Sequence, residues 1–199
     1  MNRILRSAHT LLLILAVPAL AQAMAPDALL RTLTAEVLAI VRQDKRIQAG
    51  DPKATAALVE TRLVPHFDFR RATRIAVGKS WREATLRQQE RLTEEFRELL
   101  VRTYSGALSN YRNQSIEFLP LRAGSGDEEV TVRSRVRQPG AEAVLIEYDM
   151  ARDGGAWKVF DVRVAGISLV ATYRTSFAEE VRNRGIDGLI AALEAKNGG

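Results

Sequence analysis

Residues 130–164 read VTVRSRVRQPGAEAVLIEYDMARDGGAWKVFDVRV, and their periodicity decides the fold. Val130, Val132, Ser134 and Val136 alternate with Thr131, Arg133 and Arg135. Val144, Ile146, Tyr148 and Met150 alternate in the same way with Leu145, Glu147 and Asp149. A period of two describes strands with one face buried and one wet, the arrangement antiparallel sheets permit. Asp153-Gly154-Gly155 is a tight hairpin signal leading into another strand over residues 157–164. In that strand the apolar register slips between Val159 and Phe160, so either a bulge intervenes or both faces are covered. Ile116 and Phe118 mark a shorter strand upstream.

On either side of these strands the period is helical. Leu30, Leu33, Val37, Ile40 and Val41 place a helix over residues 27–42. Asp51-Pro52 reads as an N-cap followed by proline at the first helical position, opening a short helix with Leu58 and Val59 that stops before Pro65. Asp68 caps a helix over 69–77 that Gly78 closes. Thr85 caps the longest one, over 86–108, with Leu92, Phe96, Leu99, Leu100, Thr103, Ala107 and Leu108 on one stripe and Glu94, Glu95, Arg97, Glu98 and Arg102 mostly outside it. After the strands, Leu169, Tyr173, Phe177 and Val181 place a helix over 168–182, with Gly185 ending it and a short helix over 187–193. Helices first, a meander of strands next and a closing helix argue an α+β fold. A curved antiparallel sheet with helices on one face leaves a cone-shaped gap between them.

The chain opens like an exported protein. Arg3 and Arg6 precede the apolar run Leu11-Leu12-Leu13-Ile14-Leu15-Ala16-Val17, Pro18 breaks it, and Ala21-Gln22-Ala23 supplies a small-x-small cleavage pattern. The run is short of the roughly 20 apolar residues that span a bilayer. The expectation is a signal peptide over 1–23 and one domain over 24–199, about 175 residues, enough to bury a core. With no cysteine anywhere, neither a lipoprotein anchor nor a disulfide is expected. Loss of Arg3 and Arg6 leaves 27 basic against 24 acidic side chains, too mild for a nucleic-acid binder.

The residues that carry catalysis are scarce. His9 falls in the signal peptide, so His66 is left as the only histidine; cysteine–histidine pairs, Ser–His–Asp triads and His-rich metal sites cannot be assembled. There is no Gly-rich phosphate loop. Asp161, with Tyr148 or Tyr173, could serve a small-molecule enzyme if burial raised its pKa. Otherwise it faces solvent or pairs with Arg163 or Arg135. These residues read as a binder, not an enzyme, without metal or cofactor.

Five motifs in one order over nearly the whole mature chain resemble the MlaC family, also called toluene-tolerance phospholipid-binding proteins. They are Phe67-Asp68-Phe69-Arg70-Arg71-Ala72-Thr73-Arg74 with Gly78 and Trp81; Leu99-Leu100-Val101-Arg102-Thr103-Tyr104-Ser105; Trp157-Lys158-Val159-Phe160-Asp161-Val162; Gly166-Ile167-Ser168-Leu169; and Gly185-Ile186-Asp187-Gly188-Leu189-Ile190. The resemblance implies an NTF2-like sheet packed by helices around an apolar pocket for phospholipid acyl chains. It implies a periplasmic carrier that exchanges lipid with an outer-membrane lipoprotein–porin complex and an inner-membrane ABC transporter bearing an MCE-domain ring. That traffic maintains outer-membrane asymmetry, and bound phospholipid is cargo, not cofactor.

On that footing the long helix is expected to offer Phe96, Leu100, Tyr104 and Leu108 to the lipid, and the sheet Val132, Val136, Val144, Ile146 and Tyr148. Tyr104 and Val144 match pocket positions of the family. Arg70 and Arg74 share a helix face with Arg71 beside it, where they could greet a phosphate or an acidic partner, or simply be solvated. An enzyme built on a pocket carboxylate and a lipid-free envelope adaptor remain the alternatives.

Overall fold

The structure is a computed structural model that describes residues 24–124 and 126–198. The signal peptide read at residues 1–23 lies outside them. Helix α1 (Pro26–Gln43) buries Leu30, Leu33, Val37 and Val41 along one side. A single turn, α2 (Lys45–Gln48), follows, capped by Asp44. Asp51 accepts from the Lys53 and Ala54 amides to start α3 (Pro52–Leu58). The chain then widens into a π-turn (Val59–Leu63) and tightens into a 3-10 turn (Val64–His66), so the regular helix ends earlier than its apolar residues suggest. The Asp68 carboxylate accepts from the Arg71 amide, 2.8 Å, to begin α4 (Phe69–Val77), and Gly78, with φ 66°, ends it.

Helix α5 (Leu86–Ser109) begins with a reciprocal capping box between Thr85 and Gln88. Its inner stripe differs from the expected one. Thr103 and Ala107 are exposed, Val101 and Ser105 are buried, and so is Glu95. The Glu95 carboxylate is compensated by Arg91 at 3.0 Å and by the Asn197 side-chain amide at 2.7 Å, a partner over a hundred residues away in sequence.

Five strands form one antiparallel meander in chain order: β1 (Ser115–Phe118), β2 (Glu129–Arg137), β3 (Val144–Asp153), β4 (Ala156–Val164) and β5 (Ile167–Ser168). Gly154 and Gly155 both have positive φ, 57° and 86°, which a two-residue hairpin turn of matching twist requires. The slip in β4 is a bulge: Met150 pairs with Val159 and Asp149 with Asp161, leaving Phe160 unpaired. On the outer edge of β4 the Asp68 amide donates to the Val159 carbonyl at 2.8 Å, which ties the start of α4 to the sheet.

Ser168 belongs to β5, not to the closing helix as the periodicity suggests. The Asp161 carboxylate accepts from the Ser168 hydroxyl (2.6 Å) and the Val170 amide (3.3 Å), holding this segment in a turn. A 3-10 turn (Ala171–Tyr173) leads into α6 (Arg174–Asn197), which breaks at Gly185, φ 71° and ψ −176°. No L-residue with a side chain adopts that conformation without strain.

Three apolar clusters result. Leu92 and Phe96 of α5 pack with Ala72, Ala76 and Val77 of α4 and with Phe177, Leu189 and Leu193 of α6. Leu30 of α1 packs on Val130, Val132, Met150, Trp157 and Val159 of the sheet. The second half of α1 packs on Ile47 and Leu58. Among the described residues no helix is long and apolar enough to cross a membrane.

Candidate functional site

A cavity of about 190 Å³ opens where the three clusters meet. One wall is α5, which presents Leu100, Val101, Tyr104, Ser105 and Leu108, spacings of three and four that keep one helix face inward. Leu100 to Leu108 spans ~12 Å at 1.5 Å per residue. Opposite lie the π-turn, through Val59 and Leu63, and the start of α4, through Phe69 and Ala72. The bulge of β4 closes a third side with Phe160, Asp161 and Val162, and Leu169 and Val170 close the fourth. Except for Tyr104, Ser105 and Asp161, the lining is apolar throughout.

Of the side chains expected at the lipid site, Leu100, Tyr104 and Leu108 come together on this wall. The other six are placed elsewhere. Phe96 is fully buried in the helical core, edge-on to Tyr173 and Phe177 at 5.0 and 5.2 Å. Val132 is buried under α1. Tyr148 stacks near Phe118, 6.3 Å between ring centres. Val136, Val144 and Ile146 pair along the β1–β2–β3 ladder, and Val144 is 38% exposed. The reason lies in α1: Leu30 packs over β2, β3 and the first half of β4, and the free space lies beside β4 from its bulge onward.

The residues that sequence periodicity missed sit mostly in irregular backbone, namely Val59, Leu63, Val64, Phe67, Phe160 and Leu169. The slip between Val159 and Phe160 was the one signal pointing to this side of the sheet, since a bulge re-aims a side chain.

The polar groups at the cavity are mostly engaged. Burial pushes the Tyr104 phenol up to about 12, helped by its hydrogen bond to Tyr173 and opposed by one from Thr172. Burial also raises the Tyr148 phenol, with Ser134 opposing. Asp161 neither faces solvent nor meets an arginine; Ser168 and Val170 occupy it. Arg163 is paired with Glu147 at 3.3 Å and Asp149 at 3.0 Å on the outer sheet. The three arginines of α4 part company. Arg71 bonds Glu129 at 2.7 Å and lies 3.7 Å over the Phe160 ring. Arg70 donates to Gln89 and covers Trp81, while Arg74 is exposed. Among the described residues no three His, Cys, Asp or Glu side chains are grouped to hold a metal.

Comparison with known proteins gives a consistent set of likenesses. Residues 31–195 match the family model described as MlaC protein. The intermembrane phospholipid transport system binding protein MlaC of Haemophilus influenzae is 26% identical over 147 residues, covering 72% of this chain and 69% of that protein. The toluene tolerance protein ttg2D of Pseudomonas putida is 30% identical over 166 residues, 83% of this chain and 77% of that protein. The structure of a phospholipid-binding protein from Ralstonia solanacearum in complex with a phospholipid superposes with a TM-score of 0.80 at 37% identity, covering 88% of this chain and 98% of that one.

Proposed function

Because this chain belongs to the MlaC protein family, we propose that it is a phospholipid carrier that shelters acyl chains in the cavity beside α5 while they pass between membranes. The observation that carries this reading is the cavity itself: apolar, unfilled and bounded by Leu100, Tyr104 and Leu108. The ~12 Å of α5 that its wall spans from Leu100 to Leu108 is close to the ~15 Å of hydrocarbon in one bilayer leaflet, which suits an acyl chain laid along the helix.

The physical task is desolvation. At about 0.8 kcal/mol per methylene, two chains of about 15 methylenes each would cost roughly 20–25 kcal/mol to carry naked through water. A carrier replaces that lost contact with apolar side chains while staying close enough to the bilayer in affinity to unload. The head group stays near solvent and needs no dedicated site. Cleavage before Met24 would deliver the domain to the periplasm, to meet an outer-membrane lipoprotein–porin complex and an inner-membrane ABC transporter with an MCE-domain ring. Traffic between the two would maintain lipid asymmetry of the outer membrane.

Solvent extraction of the purified protein followed by mass spectrometry tests the proposal. Stoichiometric phospholipid is expected from the wild type and little from Tyr104→Arg. A wild-type protein that emerges empty, and stays empty when mixed with phospholipid vesicles, overturns it.

A further inference from the structure

Three polar side chains face the cavity: Asp161 is satisfied within the fold by Ser168 and Val170, and the Tyr104 phenol has the polar side chains of Tyr173 and Thr172 beside it. Ser105 is different. The residue is only 8% exposed and lines the cavity between Tyr104 and Leu108; its hydroxyl makes no hydrogen bond with any described residue, and its oxygen is open to the solvent of the cavity. Thr61, Thr73 and Thr93 turn their hydroxyls back to the carbonyl four residues earlier at 2.7–2.8 Å, whereas Ser105 makes no such bond. Buried hydroxyls are nearly always paired, because an unpaired one forfeits its bond to water.

While the cavity is empty of lipid, water can serve this hydroxyl. An acyl chain displaces that water, so the partner must then come from the cargo. Methylenes offer no acceptor; the carboxyl end of the chain offers one. We propose that the Ser105 hydroxyl donates a hydrogen bond to the ester carbonyl of the bound acyl chain and so sets how far the chain slides into the cavity. Along α5, Ser105 stands ~7.5 Å from Leu100 and ~4.5 Å from Leu108. One carbonyl can therefore sit at Ser105 with methylenes running beside Val101 and Leu100. A cavity with this donor prefers acyl esters to alkyl ethers of the same length. The inference rests on the carrier reading and adds a chemical preference to it.

The test is a two-by-two comparison of wild type and Ser105→Ala, each titrated with a diacyl phosphatidylcholine and with its dialkyl ether analogue of equal chain length. Thermal melts confirm that both proteins are folded. One hydrogen bond predicts that Ser105→Ala weakens diacyl binding about three- to tenfold and leaves ether binding unchanged. The wild type prefers the ester by a similar factor. Equal or tighter diacyl binding by Ser105→Ala, or an equal loss for both lipids, overturns the inference while leaving the carrier reading intact. Failure of the wild type to bind either lipid removes both.

Discussion

Filling the cavity should separate lipid binding from folding. Leu100 sits half-buried on the α5 wall beside unfilled space, whereas Leu92, two turns earlier on the same helix, is fully buried in close-packed surroundings. In Leu100→Trp the indole can occupy the cavity, so the overpacking cost of about 1–3 kcal/mol that attends extra atoms in a filled core is largely avoided. In Leu92→Trp it is not. At about 2–4 °C per kcal/mol for a domain of this size, Leu92→Trp should melt about 2–12 °C lower and Leu100→Trp within a few degrees of wild type. For lipid the order reverses. An indole in the cavity excludes about three or four methylenes, worth about 3 kcal/mol or roughly a hundredfold in affinity. Leu100→Trp should therefore lose its phospholipid, and Leu92→Trp, where folded, should keep it. Calorimetric melts and extraction with mass spectrometry read the two effects independently. If Leu100→Trp melts as low as Leu92→Trp and retains lipid, the space beside α5 is not where acyl chains lie.

Val144→Arg should fold and hold lipid as wild type does, since Val144 is 38% exposed at the start of β3 and away from the cavity; loss of extracted lipid from this variant would place the acyl chains against the sheet instead. Asp161→Ala should destabilise by about 1–3 kcal/mol, because the Ser168 hydroxyl and the Val170 amide lose their shared acceptor, and urea denaturation measures it. Tyr104 gives a signature at alkaline pH. Its phenol titrates at about 12 in the fold against 10.0 when free, so the native state holds the proton more firmly. The resulting stability is complete below pH 10 and is lost as pH rises from 10 to 12. Tyr104→Phe should flatten that stretch of the stability–pH profile, and an unchanged slope would mean that the phenol is not so held.

The parts of this fold that are local in sequence were legible in it. Asp51, Asp68 and Thr85 cap the helices they precede because each bond closes within three residues. The first four strands of the meander were equally plain, since each pairs with its chain neighbour and alternation fixes which side chains share a face. What escaped depended on partners distant in sequence. Glu95 looks like a surface residue until Asn197 arrives beside it, and Ser168 looks helical until Asp161 takes its hydroxyl. The wall of the cavity was half visible: Leu100, Tyr104 and Leu108 follow from the period of α5. No periodicity reveals that Leu30 packs over the three long strands up to Val159, or that a π-turn lines the cavity with Val59 and Leu63.

The placement of α1 has a consequence for how the molecule is made. Leu33, Val37 and Val41 find partners nearby in Ile47 and Leu58, but Leu30 settles against Val130, Met150 and Val159, so the start of α1 waits for the last full strand before its apolar side has a home. Strands that pair with their immediate neighbours assemble quickly, whereas closing a loop of about 100 residues is slow. The start of α1 is therefore among the last parts to be covered, and until strand β4 is in place the side chains of Leu29 and Leu30 are the ones most in need of a chaperone.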